Sequence, residues 1–198
     1  QIQPVWRADR PQKARYREFY QCDADVIGSD SLVCEAECIA MVIEVFRRLG
    51  MDDFEIRINH RKILRAITEI IGAPGMETAF STALDKLEKV GRDKVIEELG
   101  SKGFSGSAIR ALAPVLDMQG AEREVMLEQM EAFVGDSDVG RDGLHDVHKI
   151  FRYVQSLSAV EFLFPDITLA RGLSYYTGAI FEVRVRNSTI RSSVGGGG

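Results

Sequence analysis

The spacing of apolar residues changes period twice along this chain, and that double change limits its fold more than any other feature. Near both ends apolar residues alternate with polar ones, as on a half-buried strand. Between residues 76 and 158 they recur every three or four positions, in LDKLEKV, DKVIEELG, SAIRALAPVL, AEREVMLEQMEAFV and LHDVHKIFRYVQSL. Glycines at 91, 100, 103, 106, 120, 135, 140 and 143 punctuate those segments, so the block reads as a series of short helices. Alternation returns at 160–164, 167–170 and 179–186. Strands, then helices, then strands predict an α+β domain with an antiparallel sheet flanked by helices and an inserted helical subdomain. The expected division is 1–72, 73–158 and 159–198.

The first part resolves further. Residues 1–9 and 16–28 read as an antiparallel pair joined by a polar loop at 10–15, with Pro11 as turn former. A helix is expected over 32–49. Its apolar residues fall on nearly every face, interrupted by Glu35, Glu37, Glu44, Arg47 and Arg48, so it should be largely buried across a sheet. Gly50 stops it. FEIRI at 54–58 alternates as a strand, and Asn59 is the expected N-cap of a helix running to Ile71. Gly72-Ala73-Pro74-Gly75 breaks the pattern.

A chain of 198 residues is long enough to bury a core. No apolar run approaches the ~20 residues that span a bilayer, and no signal peptide is visible. Three cysteines without framework spacing point to a reducing, cytoplasmic setting. The chain opens on Gln1 inside a strand pattern and stops on a glycine run, which reads as part of a longer polypeptide. Its net charge of −5 is uneven. Residues 73–158 carry ten Lys and Arg against fifteen Asp and Glu, the whole excess.

Against that acidic background, Arg7, Arg10, Lys13, Arg15 and Arg17 crowd one short stretch with only Asp9 and Glu18. Guanidinium forks match phosphate oxygens, so this turn is a candidate anion grip. A solvated hairpin tip gives the same pattern. In the strand beyond it, Gln21, Asp23 and Asp25 share a face opposite Tyr20, Cys22, Ala24 and Val26. The second candidate is LARGLSYYTG at 169–178, where Arg171 offers a cation and Tyr175 and Tyr176 offer hydroxyls and an aromatic wall. A β-turn with core tyrosines fits it too. Cys34 with Cys38, and His145 with His148, lack further ligands at metal-site spacing, and His60 reads as ordinary.

Taken together, RADRPQKARYREFYQ at 7–21 resembles motif 2 of the class II aminoacyl-tRNA synthetases, in the version of the histidyl-tRNA synthetase family. LARGLSYYTG resembles that family's histidine-binding signature, usually written RGLDYY, and SVGGGG at 193–198 the start of the glycine-rich strand that follows. The resemblance covers essentially the whole chain. It implies a class II synthetase-like fold and activation of L-histidine by ATP, followed by transfer to tRNA(His). Arg7 and Arg171 would be the catalytic arginines at the α-phosphate. Asp9 and Arg15 would join them in binding ATP, Asp9 standing where the family usually has Glu. Histidine would be held by Arg7, Gln21, Asp25, Arg171, Tyr175 and Tyr176. Ser174 departs from the family's Asp. Mg2+ would arrive with ATP and no protein metal site is expected. The full-length protein would be a cytoplasmic homodimer. The other two class II motifs would lie before Gln1 and after Gly198, so this chain alone is not expected to aminoacylate. The helical block matches the family's insertion, expected near the tRNA acceptor arm, but its acidity argues against a broad phosphate-binding surface. A histidine-sensing regulatory paralogue, such as the synthetase-like subunit of ATP phosphoribosyltransferase, stands as the alternative. A structural or RNA-binding segment with no small-molecule site is a third reading.

Overall fold

The computed structural model describes residues 1–8, 10–11, 16–118, 120–170, 175–187 and 193–198, with Glu88 described by its backbone only. The first two strands form a ribbon of their own: β1 (Ile2–Trp6) runs antiparallel to β2 (Glu18–Cys22), with Gln3 opposite Gln21 and Val5 opposite Phe19. The alternation at 16–28 predicts a longer strand than the one that forms. The last bond of the ladder joins the Asp23 N–H to the Gln1 carbonyl.

Helix α1 (Val33–Arg48) ends at Gly50, whose φ of 72° suits a residue without a Cβ. It buries one stripe, Ala36, Ile39 and Ile43, whereas Met41 and Val45 stay exposed. The sequence predicted burial on nearly all sides. The helix instead lies along α8 (Asp138–Ser156), and Phe46 in its last turns meets Phe54 with ring centroids 5.0 Å apart.

The main sheet has the order β4 (Leu163–Pro165), β3 (Phe54–His60), β5 (Ala179–Val185), β6 (Gly195–Gly197). Its pairings are antiparallel except β3 with β4, which is parallel. Two expected strands change. Residues 160–162 form a single 3-10 turn before β4. Residues 167–170 form no strand, because Asp166 folds them into a turn: its carboxylate accepts from the backbone N–H of Thr168 at 2.9 Å and from the Thr168 hydroxyl at 2.6 Å.

Between β3 and β4 every described element is helical, as the spacing predicts: α2 (Arg61–Ile70), α3 (Glu77–Leu84), α4 (Leu87–Val90), α5 (Arg92–Ser101), α6 (Gly106–Asp117), α7 (Arg123–Val134) and α8. Ser105 and Ser137 cap α6 and α8 by accepting from the amides of Ala108 and Gly140. Helices α2 and α8 cross at Gly143, where a Cβ would stand 2.8 Å from Ile63 Cγ1. Apolar residues of the sheet and of these helices, from Ile39 and Ile56 to Leu112 and Val147, form one continuous buried cluster. By alternation along β3 and β5, Ile56, Ile58, Phe181 and Val183 share one face of the sheet, while Glu55, Arg57, Asn59, Glu182 and Arg184 share the other.

Candidate functional site

The ribbon carries the first half of the site. Arg7 extends β1 by one rung, its N–H donating to the Arg17 carbonyl at 2.8 Å. Because Arg7, Phe19 and Gln21 occupy one face, their side chains meet. The Arg7 guanidinium lies 5.0 Å from the Phe19 ring centroid, and its Nη2 donates to Gln21 Oε1 at 2.7 Å. Gln21 Nε2 in turn donates to Asp23 Oδ1 at 2.5 Å. So the predicted pair Arg7 and Gln21 is brought together. Asp25 is not part of that row. It lies beyond the end of β2, exposed, near enough to Cys38 that its charge helps raise the Cys38 thiol pKa, after burial and the neighbouring Cys34, Glu35 and Glu37. Asp9 and Arg15 lie outside the described residues, as do Lys13, Arg171 and Ser174.

The second half sits where β3 runs into α2. The residues on either side of His60, Asn59 and Arg61, bond to the chain on both sides of 171–174. Asn59 is fully buried; its Nδ2 donates to the carbonyls of Ile167 at 3.1 Å and Leu169 at 2.9 Å, and its Oδ1 accepts from the His60 N–H at 2.8 Å. Arg61 donates from its backbone N–H to the Gly178 carbonyl at 2.9 Å and from Nε to the Tyr176 carbonyl at 3.1 Å. The sequence reading assigned the cap of α2 to Asn59. The cap is His60, whose Nδ1 accepts from the Lys62 N–H at 3.1 Å. Asn59 fails as a cap because its position on the polar face of β3 turns its amide toward the arm at 166–170.

His60 is 2 % exposed, and burial pulls its pKa down to about 4, against an opposing pull from Asp146 and with a smaller push from Lys62. With Nδ1 accepting the cap bond, the proton of the neutral ring falls on Nε2, which faces Asp146 Oδ2 at 3.4 Å. Lys62 Nζ pairs with that same oxygen at 2.9 Å, tying α2 to α8.

Tyr175 and Tyr176 stand beside each other with ring centroids 4.5 Å apart. Tyr175 is 67 % exposed, while Tyr176 is half-buried against the core. The glycine strand presses on this region. A Cβ at Gly197 would come within 2.5 Å of the Phe181 ring, and one at Gly198 within 2.8 Å of the Tyr176 ring. The run therefore lies on aromatic rings, an approach only glycine permits.

Below the arm, Arg57 bridges Glu55 at 2.6 Å and Asp166 at 3.0 Å, fixing the turn that carries Thr168. A shallow concavity of about 20 Å³ beside the arm is lined by Asp85, Asp166, Thr168, Ala170 and Arg184 among others, room for about one water molecule. Among the described residues no group of three or more His, Cys, Asp or Glu is placed to hold a metal ion.

Known proteins align with the chain from end to end. The family model described as histidyl-tRNA synthetase matches residues 2–198. A histidine–tRNA ligase of Cytophaga hutchinsonii is 49 % identical over 201 residues, covering 100 % of this chain and 44 % of that protein. One of Porphyromonas gingivalis is 50 % identical over 197 residues, covering 100 % of this chain and 43 % of that protein. The crystal structure of histidyl-tRNA synthetase from Nostoc sp. PCC 7120 superposes with a TM-score of 0.79 at 27 % identity, over 93 % of this chain and 43 % of that one. A Bacillus halodurans C structure, described as an ATP phosphoribosyltransferase regulatory subunit/histidyl-tRNA synthetase, shares the fold at 23 % identity and a TM-score of 0.75. The chain spans less than half the length of the curated relatives it matches. Its α+β fold is that of the class II synthetases, and the chain belongs to the histidyl-tRNA synthetase family.

Proposed function

We propose that this chain forms part of the catalytic domain of a histidine–tRNA ligase and carries its amino-acid-activating residues. The carboxylate of L-histidine attacks the α-phosphate of ATP, giving histidyl-adenylate and pyrophosphate. The terminal ribose of tRNA(His) then attacks the adenylate. In-line attack at phosphorus builds charge on the equatorial oxygens, and fixed cations there lower the barrier. Arg7 and Arg171 take that role, with Asp9 and Arg15 contributing to ATP binding. Mg2+ enters with ATP as part of the substrate.

Gln21 holds the amino acid's backbone groups, with Arg7 and Arg171 on its carboxylate side. Asp25 and Tyr176, with Tyr175 beside them, satisfy the two imidazole nitrogens. A smaller or apolar side chain would leave those groups unpaired, and this is the source of selectivity. The observation that carries the reading is the Arg7–Gln21 contact: a guanidinium suited to a phosphate and an amide suited to an amino acid, 2.7 Å apart on one face of the two-stranded ribbon.

The division into catalytic parts 1–72 and 159–198 around a helical insertion at 73–158 belongs to the same proposal. So do a homodimeric full-length protein, a cytoplasmic location, and tRNA contact by the acidic insertion confined to a local edge. No helix among the described residues is long and apolar enough to cross a membrane. The regulatory paralogue has less behind it, since relatives near 50 % identity are named histidine–tRNA ligase. Charging of tRNA(His) by the full-length polypeptide carrying this chain separates the two. The ligase reading requires histidylated tRNA, and histidine binding without charging would favour the regulator.

A further inference from the structure

We propose that Asn59 and Arg61 are positioning residues for histidine activation, acting as a two-sided clamp on the segment that carries Arg171 and Tyr176. The inference rests on the proposed role of that segment.

Four backbone carbonyls flank residues 171–174 in bonds to two residues. Ile167 and Leu169 on the incoming arm are held by one Asn59 amide, and Tyr176 and Gly178 on the outgoing arm are held by Arg61. Neither arm is in a strand where these contacts are made, so side chains and a helix N-terminus supply bonds that a sheet ladder would otherwise give. The clamp is itself rigid. Asn59 is fully buried and its oxygen is occupied by the His60 N–H, which leaves its amide one orientation. Arg61 is the first residue of α2, and the His60 cap fixes where that helix begins. Asn59 and Arg61 are two residues apart, so the spacing between the arms is set by one strand-to-helix junction. Arms fixed this way hold Tyr176 in a defined place, which the reading of a bound histidine needs and thermal wandering of the arms would spoil.

The clamp predicts a split that general destabilisation would not produce. In the full-length polypeptide carrying this chain, Arg61→Ala removes the bond to the Tyr176 carbonyl and keeps the backbone bond to Gly178. It should raise the KM for histidine in ATP–pyrophosphate exchange about tenfold or more and leave the KM for ATP within about twofold. Arg61→Lys, which still offers a donor, should recover most of the loss. Amide hydrogen exchange read on the same Arg61→Ala protein should quicken at residues 175–178. A lower melting temperature with unchanged histidine KM and unchanged exchange at 175–178 would overturn the clamp. That result is distinct from failure of the underlying site. If Tyr176→Phe and Arg171→Ala also leave histidine activation untouched, the segment does not read histidine, and the positioning role falls with it.

Discussion

Arg7 and Gln21 stand on a two-stranded ribbon whose opposite face exposes Ile2 at 73 %, Trp6 at 69 % and Tyr20 at 75 %. Tyr176, by contrast, is half-buried, held through its carbonyl by Arg61 and pressed by Gly198. The two parts of the candidate site are held in place by different physics. The ribbon gets its geometry from five paired rungs and one row of side-chain contacts, and ribbons of two strands are marginal alone. The stretches 166–170 and 175–178 are fixed by a buried amide, a helix start and a salt-bridged turn that rest on the continuous core. Large substitution effects should therefore cluster under the second half and be nearly absent from the outer face of the first.

The sharpest contrast is expected at Phe54. Its ring is buried between Phe46 and Phe162, stacked on the latter at 4.5 Å, at the start of the strand that ends in the clamp. Phe54→Ala should cost about 3–5 kcal/mol in urea unfolding, the usual range for emptying such a site. A loss below about 1 kcal/mol would mean that the sheet edge repacks freely and the anchored half is no better fixed than the ribbon.

A comparable effect should appear as pH dependence. His60 is neutral in the folded state with a pKa of about 4, while the unfolded chain takes up its proton near 6.5. The unfolded state therefore binds more protons between those values. The contribution is full above pH 6.5 and is lost progressively as pH falls toward 4, on the order of 3 kcal/mol in total. His60→Asn keeps a capping side chain and removes the titration. The difference in unfolding free energy between the two proteins, followed from pH 7.5 to 4.5, should slope in that direction. A flat difference would show that Asp146 and Lys62 set the ionisation of this junction differently from burial.

The smallest effect is expected on the ribbon's outer face. Trp6→Ala in this chain should change stability by less than about 0.5 kcal/mol despite removing the only tryptophan, because the ring is mostly in water. A change above about 2 kcal/mol would show that the face is covered in solution and erase the contrast.

The same contrast explains what could be read from sequence. Helical spacing at 76–158 gave the helices, because each one buries a single stripe whose period is written in the residues. Alternation gave β3 and β5 for the same reason. The ends of elements were harder, since they depend on partners distant in the chain. The strand expected at 16–28 pairs only over 18–22, and 167–170 turns because Asp166 bonds Thr168. Of the candidate site, the shared face of Gln21 and Asp23 was legible from alternation, and the place of Arg7 beside them came from the pairing of β1 with β2. Asp25 was placed on that face by extending the alternation past the end of β2. Asn59 was read as a helix cap and Arg61 escaped notice, because their work is done on backbone carbonyls more than a hundred residues away, which no local pattern records.

The most direct test of the account is histidine-dependent ATP–pyrophosphate exchange by the full-length polypeptide carrying this chain, compared with its Arg7→Ala variant. Exchange should require histidine among the amino acids. The variant should lose on the order of a hundredfold or more in kcat, as expected when a preorganised charge on the developing phosphorane is removed. Exchange that persists undiminished without Arg7, or its absence in the unaltered protein, would contradict the claim that this ribbon grips the α-phosphate.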